Sequence, residues 1–356
     1  MTRALPPYNQ IRMKIFYAVQ ATGNGHISRA MELLPSLERY GKVDIFLSGA
    51  NSSLELENSV KYRSRGLCLF YTDNGGLDYP KIVRQFAPLR VMKEVRDLPV
   101  ENYDLVINDF ESITSLACAY KKIPSVNFGH QASFISPKTP RPEKKEAMGE
   151  WILRNYARAT QYIGLHFKQY DDFILPPVIK KEILQAEPQD KGHITVYLSS
   201  FTDAVLEGYF KPLKEFRFQV FSREVKQPLQ RGNILFIPVN KTAFSRSLIN
   251  CRAIITGAGF ETPAEALYLG KKLMAIPIRG QYEQLCNAAA LSKMGVTIVD
   301  APGPDFARVF LDWIEQRKKP VLHLDHSTES IVSYLMHNCT GQKDTLDMLY
   351  PEFVFN

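Results

Sequence analysis

The sequence predicts an α/β protein of two doubly wound, Rossmann-like domains, each on a parallel sheet, facing one another across a cleft. Apolar β-rich runs alternate with amphipathic helical patterns along nearly the whole chain. Uninterrupted apolar strands belong to parallel sheets covered on both faces. The rhythm breaks at FILPPVIKKEILQAEPQDKG, Phe173–Gly192, which is rich in proline and charge, and then resumes. Ligands of such sheets lie at the carboxyl ends of the strands. A cleft between two of them is therefore the natural ligand site.

In the first half the expected strands are MKIFYAV, VDIFLSG, GLCLFYT, DLVIND, PSVNFG and QYIGLHF. Helices are expected over Ser28–Tyr40, Lys81–Asp97 and Glu111–Lys121. In the second half the strands are HITVYLSS, FRFQVFS, NILFIPV, CRAIITG, KKLMAIP and VTIVD. Helical patterns there cover Asp203–Lys214, Phe244–Asn250, Glu261–Leu269 and Gln281–Met294, with a last amphipathic stretch at Ser327–Cys339. The expected division is a first domain over 13–175, a linker over 176–192 and a second domain over 193–325. A final helix over 326–340 is expected to pack back toward the first domain.

The chain has 356 residues, 45% hydrophobic and 23% charged, enough for two ordinary globular domains. Its cysteines, Cys68, Cys118, Cys251, Cys286 and Cys339, are scattered, with no C-x-x-C spacing. They read as reduced thiols of a cytoplasmic protein and argue against a disulfide framework or a zinc site. No apolar run is long enough for a transmembrane helix, and MTRALPPYNQIR lacks the apolar core of a signal peptide. The formal charge of +7 suits an anionic ligand or an anionic membrane surface, or serves solubility alone. No RNA-binding or helix-turn-helix signature accompanies it, so nucleic acid is not an expected partner.

The stretch QATGNGHISRA, Gln20–Ala30, turns the first strand into the first helix. Gly23 and Gly25 suit a close backbone approach and the φ > 0 angles of tight turns. Helix-start N–H groups favour an anion. The turn is not G-x-G-x-x-G, so by itself it is a weak sign of phosphate binding and equally serves as a plain corner. His26 adds chemistry, because a neutral imidazole can take a proton from a hydroxyl near neutral pH. Asp109 ends the strand DLVIND at the same sheet edge. It can orient the imidazole and stabilise its cation, or cap the helix starting near Glu111.

The strongest pattern is CRAIITGAGFETPAEALYLGKKLMAIPIRGQYEQLCNAAAL, Cys251–Leu291. It reads strand, glycine turn, helix, strand, loop, helix. Gly257 and Gly259 open a helix whose N-terminus can hold a diphosphate, and Glu265 one turn inside can accept two ribose hydroxyls. Arg279, Gln281, Glu283, Gln284 and Asn287 follow as a dense set of hydrogen-bonding groups.

This arrangement resembles the GT-B nucleotide-sugar glycosyltransferases over roughly Met13–Cys339. The nearest in pattern are the N-acetylglucosaminyltransferase acting on lipid I and the UDP-sugar enzymes of macrolides and plant metabolites. The resemblance implies donor phosphates at Gly257-Ala258-Gly259 and ribose at Glu265. It implies donor sugar at Glu283, Gln284 and Asn287. Ser199 and Ser200 match a loop facing the diphosphate, and Ile237–Asn240, with Val239, a segment packing on the base. Gly23, Gly25 and His26 match the amino-terminal G-x-G-H turn, with His26 as general base and Asp109 as its partner. His130 and Gln131 keep only part of an acceptor-side H-E-Q-N stretch.

The implied reaction is inverting transfer of a hexosyl or N-acetylhexosaminyl group from a nucleoside-diphosphate sugar, with UDP expected as its nucleotide, to a hydroxyl. The acceptor class includes lipid or cell-envelope glycan precursors. No D-x-D motif occurs, so neither metal nor cofactor is expected beyond the nucleotide-sugar co-substrate. Ser136–Ala159 is basic and carries Trp151, Ile152 and Leu153. It reads either as a peripheral contact with the inner face of an anionic membrane or as a surface loop feeding a helix with a buried Trp. Two competing functions share the fold: a nucleotide-sugar epimerase and a non-catalytic nucleotide-sugar binding protein. The turn Thr256-Gly257-Ala258-Gly259 departs from the epimerase pattern. The presence of the His26 half argues for an enzyme.

Overall fold

MKIFYAVQ places Ile15, Tyr17 and Val19 on one face of a strand and Phe16 and Ala18 on the other, all fully buried. That double burial puts β1, Met13–Gln20, in the interior of a sheet. The computed structural model describes residues 13–21, 24–49, 60–66, 87–317, 320–324 and 328–340. The expected strand GLCLFYT, beyond its first residue, and the start of the expected helix Lys81–Asp97 lie outside them.

The first sheet has seven parallel strands in the order β3-β2-β1-β4-β5-β6-β7. Its further strands are β2 (Gly41–Ser48), β3 (Val60–Ser64), β4 (Leu105–Asp109), β5 (Val126–Gly129), β6 (Gln161–Leu165) and β7 (Ile174–Leu175). Among the described residues of this half the helices are α1 (Asn24–Leu37), α2 (Pro88–Asp97), α3 (Ser112–Lys121) and α4 (Ala147–Asn155). β7 lies within the proline- and charge-rich stretch that breaks the rhythm, and Ile174 and Leu175 are both buried beside β6. Residues 176–192 carry a short helix, α5 (Lys181–Leu184), and bury Val178, Ile179 and Ile183. The segment is therefore a packed strap.

The second sheet also has seven strands, in the order β10-β11-β9-β8-β12-β13-β14. These are β8 (His193–Tyr197), β9 (Arg217–Ser222), β10 (Leu229–Arg231), β11 (Ile234–Pro238), β12 (Ala253–Thr256), β13 (Lys272–Ala275) and β14 (Thr297–Ile298). Its helices are α6 (Asp203–Phe210), α7 (Lys241–Asn250), α8 (Glu261–Tyr268), α9 (Tyr282–Lys293) and α10 (Phe306–Glu315). The sheet is parallel except at one edge, where β10 pairs antiparallel with β11. Gly232, at φ 59°, and Asn233 form the hairpin loop between Arg231 and Ile234.

α11 (Thr328–Thr340) packs on α1. One apolar cluster runs through both halves. It includes Tyr17, Ile27 and Leu33 in the first, Ile179 and Ile183 in the strap, Ile254 and Leu267 in the second, and Val332 and Leu335 in α11. Burying each such side chain contributes about 1.5–3 kcal/mol.

Candidate active site at the facing sheet edges

β1 and β4 are neighbours, so α1 and the end of β4 meet at one carboxyl edge. α1 begins at Asn24, which puts Gly25 and His26 inside its first turn. His26 Nδ1 lies 2.9 Å from Asp109 Oδ1. Asp109 is fully buried, whereas the His26 side chain keeps 13% of its surface exposed. The capping alternative for Asp109 is settled by Glu111. Its carboxylate accepts from the N–H groups of Ile113 at 2.8 Å and Thr114 at 2.6 Å. Between them Phe110 holds φ 55°, a conformation a bulky residue seldom adopts. Asn108 braces that corner by bonding both the N–H and the C=O of Glu111. The strained turn points Asp109 and Glu111 to separate tasks.

Arg29, one turn after His26, was not anticipated. Its guanidinium, 3% exposed, donates to both oxygens of Asp109, with Nη2 at 2.7 Å from Oδ1 and Nε at 3.2 Å from Oδ2. Nη2 also lies 3.0 Å from His26 Nδ1, and Nη1 bonds Glu261 at the start of α8. Burial alone would raise the Asp109 carboxyl. The charges of Arg29 and His26 overcome it and hold the group below its ordinary range. Burial would lower the Arg29 guanidinium, and Asp109 and Glu261 drive it up instead.

The facing edge belongs to β12 and β13, which deliver α8 and α9. Several contacts cross from one edge to the other. Glu261 reaches Arg29. Gln131 Nε2 donates to Glu283 Oε2 at 2.9 Å and lies 3.4 Å from His26 Nε2. His130 Nε2 lies 2.7 Å from Asn287 Oδ1, and its Nδ1 lies 2.9 Å from the Leu165 carbonyl. The His130 ring also stacks on Phe260 at 3.9 Å and 6°. Burial pushes the His130 imidazole down, opposed by Glu283.

The other expected site residues take the following places. Gly23 lies outside the described residues. Gly25, Gly257 and Gly259 have no positive φ, so space and not dihedral freedom is what they supply. A side chain at Gly25 would stand 2.5 Å from Glu261 Oε2, so a carboxylate of the other half occupies that corner. Gly259 faces open space. Glu265 is 2% exposed and paired with Lys180 of the strap at 3.0 Å. Burial raises its carboxyl, and Lys180 opposes the rise. Asn287 is fully buried, and its Nδ2 donates to the Ala258 carbonyl at 3.1 Å, bracing the glycine turn. Gln284 shapes its own loop through the Ile278 N–H and Gln281. Glu283 stays partly open.

Ser199 and Ser200 are exposed at the end of β8 and line a cavity of about 160 Å³ with Thr202, Ser222 and Arg223. Val239 is half-buried beyond β11, and its N–H donates to the Ser222 carbonyl. These three sit at the same carboxyl edge of the second sheet but touch neither His26 nor Asp109. On α4, Leu153 is buried while Trp151 is 59% exposed, which corrects the reading of a buried Trp.

The model of glycosyl transferase family 1 matches residues 13–311. The chain belongs to that family. No curated protein matches it in sequence. Solved structures resemble the glycosyltransferase over nearly its full length. One is the Phytolacca americana UGT2 complexed with UDP-2fluoro-glucose and pterostilbene, at 13% identity and TM-score 0.57, covering 93% of this chain and 94% of that one. Another is SnogD from Streptomyces nogalater, at 16% identity and TM-score 0.53, covering 91% and 99%. A third is SsfS6 from Streptomyces sp. SF2575, complexed with thymidine diphosphate, at 14% identity and TM-score 0.52, covering 91% and 99%. The two sheets of the glycosyltransferase are the Rossmann-like halves of the GT-B fold. Among its described residues no helix is long and apolar enough to cross a membrane.

Proposed function

We propose that this glycosyltransferase inverts configuration, moving a hexosyl or N-acetylhexosaminyl group from a nucleoside-diphosphate sugar, UDP first among them, to a hydroxyl. The observation that carries the reading is the His26–Asp109 contact at 2.9 Å beneath a partly open imidazole. With Nδ1 turned to the carboxylate, Nε2 is the atom left for the acceptor. The acceptor oxygen forms its bond to the anomeric carbon from the face opposite the diphosphate. The bond from that carbon to the phosphate oxygen breaks, the hydroxyl proton passes to His26 Nε2, and the nucleoside diphosphate departs.

The α8 start, beside Gly257 and Gly259, is the proposed place of the diphosphate, with Ser199 and Ser200 facing it and Val239 toward the base. Open space at Gly259 and backbone N–H groups at a helix start favour an anion there. Glu283, close to Gln131, is the proposed contact of the donor sugar. His130 and Gln131 belong to the acceptor side and brace it through their bonds to Asn287 and Glu283. The nucleotides in the Phytolacca and Streptomyces structures support a nucleotide donor. Exposed Trp151 and Met148, near Lys144, Lys145 and Arg154, support a peripheral contact with an anionic membrane and a lipid-linked acceptor.

The test is single-turnover cleavage of UDP-sugars with and without an acceptor extract. His26→Ala should slow transfer by about 10²-fold or more, while UDP still raises the melting temperature as in the wild type. An unchanged rate in His26→Ala removes the assigned base.

A further inference from the structure

The guanidinium of Arg29 touches His26, both oxygens of Asp109 and, across the cleft, Glu261. The Glu261 carboxylate enters over Gly25, where any side chain would meet it, and lies against the first turn of α1. We propose that Arg29 and Glu261 form a closure latch, with Arg29 the positioning residue that ties the approach of the two halves to the His26–Asp109 pair. The inference rests on the reading of His26 as base.

The physical ground is a shared cation. Asp109 stabilises an imidazolium by its negative charge. Arg29 sits on the same carboxylate and offsets that charge when nothing else balances the guanidinium. Glu261 supplies the balance, and it belongs to the other half. With the halves together, Arg29 is divided between two carboxylates, and Asp109 keeps more of its charge for His26. With the halves apart, Arg29 weighs on Asp109 alone. Among the other titratable groups nearby, the buried Tyr17 hydroxyl lies within electrostatic reach of both Arg29 and Asp109. Glu283 is held by Gln131, and the His130 ring faces Asn287 and Leu165. A second benefit falls to α8. Glu261 at its first turn would repel a diphosphate there, and Arg29 neutralises it.

The experiment compares wild type, Glu261→Gln, Arg29→Lys and the double variant. Single-turnover rate, UDP affinity and the radius of gyration in solution are measured for each. Glu261→Gln, at a side chain that is 21% exposed, leaves the core intact and is decisive if Arg29→Lys fails to fold. The latch predicts that Glu261→Gln slows transfer by about tenfold while UDP affinity does not weaken. It predicts a larger radius of gyration for Glu261→Gln and a double variant no slower than the slower single one. Additive losses, a wild-type rate in Glu261→Gln or an unchanged radius overturn it. His26→Ala at the wild-type rate sinks the base reading and the coupling with it. The radius, which needs no turnover, then still decides whether Glu261 holds the halves together.

Discussion

Gly129 ends β5 so close to Asp109 that a side chain at 129 would stand 2.6 Å from Asp109 Oδ1. The same added atom would lie 3.3 Å from Arg29 Nη2. The buried His26–Asp109–Arg29 cluster therefore depends on a hydrogen at this position. Gly129→Ala should displace the carboxylate, cost about 1–3 kcal/mol of stability and slow transfer without touching a substrate. Urea unfolding and single-turnover rates check it. Wild-type values in both would show that the cluster tolerates the methyl.

Asp109 carries a pH signature. Its carboxyl is held below the unfolded value of 3.8 because Arg29 and His26 outweigh the effect of burial. Such a group stabilises the fold above its unfolded value and loses that contribution as pH falls through the lower folded one. Wild-type stability should therefore decline below about pH 4, and Asp109→Asn should lack that part of the decline. At neutral pH the variant should lose about 3 kcal/mol, since Arg29 keeps a buried charge with one carboxylate fewer. Parallel stability curves below pH 4 would contradict this account.

At Gly259 no atom lies within 4 Å of an added side chain. Gly259→Val should fold with an unchanged melting temperature and yet fill the place proposed for the diphosphate. The rise in melting temperature on adding UDP should vanish in the variant. If the rise persists, the nucleotide sits elsewhere.

The sequence holds no D-x-D motif, and the α8 start offers N–H groups where a cation would otherwise serve. Donor turnover should survive excess EDTA. A complete loss that magnesium or manganese restores would refute the metal-free mechanism.

Strands such as MKIFYAV and CRAIITG were readable because both faces are buried, leaving long apolar runs. β3 and β10 were not, since VKYRS and LQR carry polar side chains at a sheet edge and bury little. The Gly232-Asn233 pair was the signal for the hairpin, but only NILFIPV, from Asn233 on, was read as a strand. The meeting of His26 with Asp109 was legible because adjacent parallel strands end together. Arg29 was visible only as a residue three positions after His26, one helical turn on the same face. Nothing in local spacing connects it with Glu261, 232 positions away. Lys180 was hidden for the same reason, since its pairing with Glu265 spans 85 positions. Charges far apart in the chain become buried pairs when the fold brings them together.

α11 sits on α1, and its Val332, Leu335 and Met336 are buried in the cluster that also holds Ile27 and Leu33. During synthesis α1 leaves the ribosome some 300 residues ahead of its partner helix. At about 5–20 residues per second, its apolar flank waits roughly 15–60 s for that cover. A nascent chain of this enzyme thus carries an unfinished apolar face until α11 is made, a face of the kind that invites aggregation.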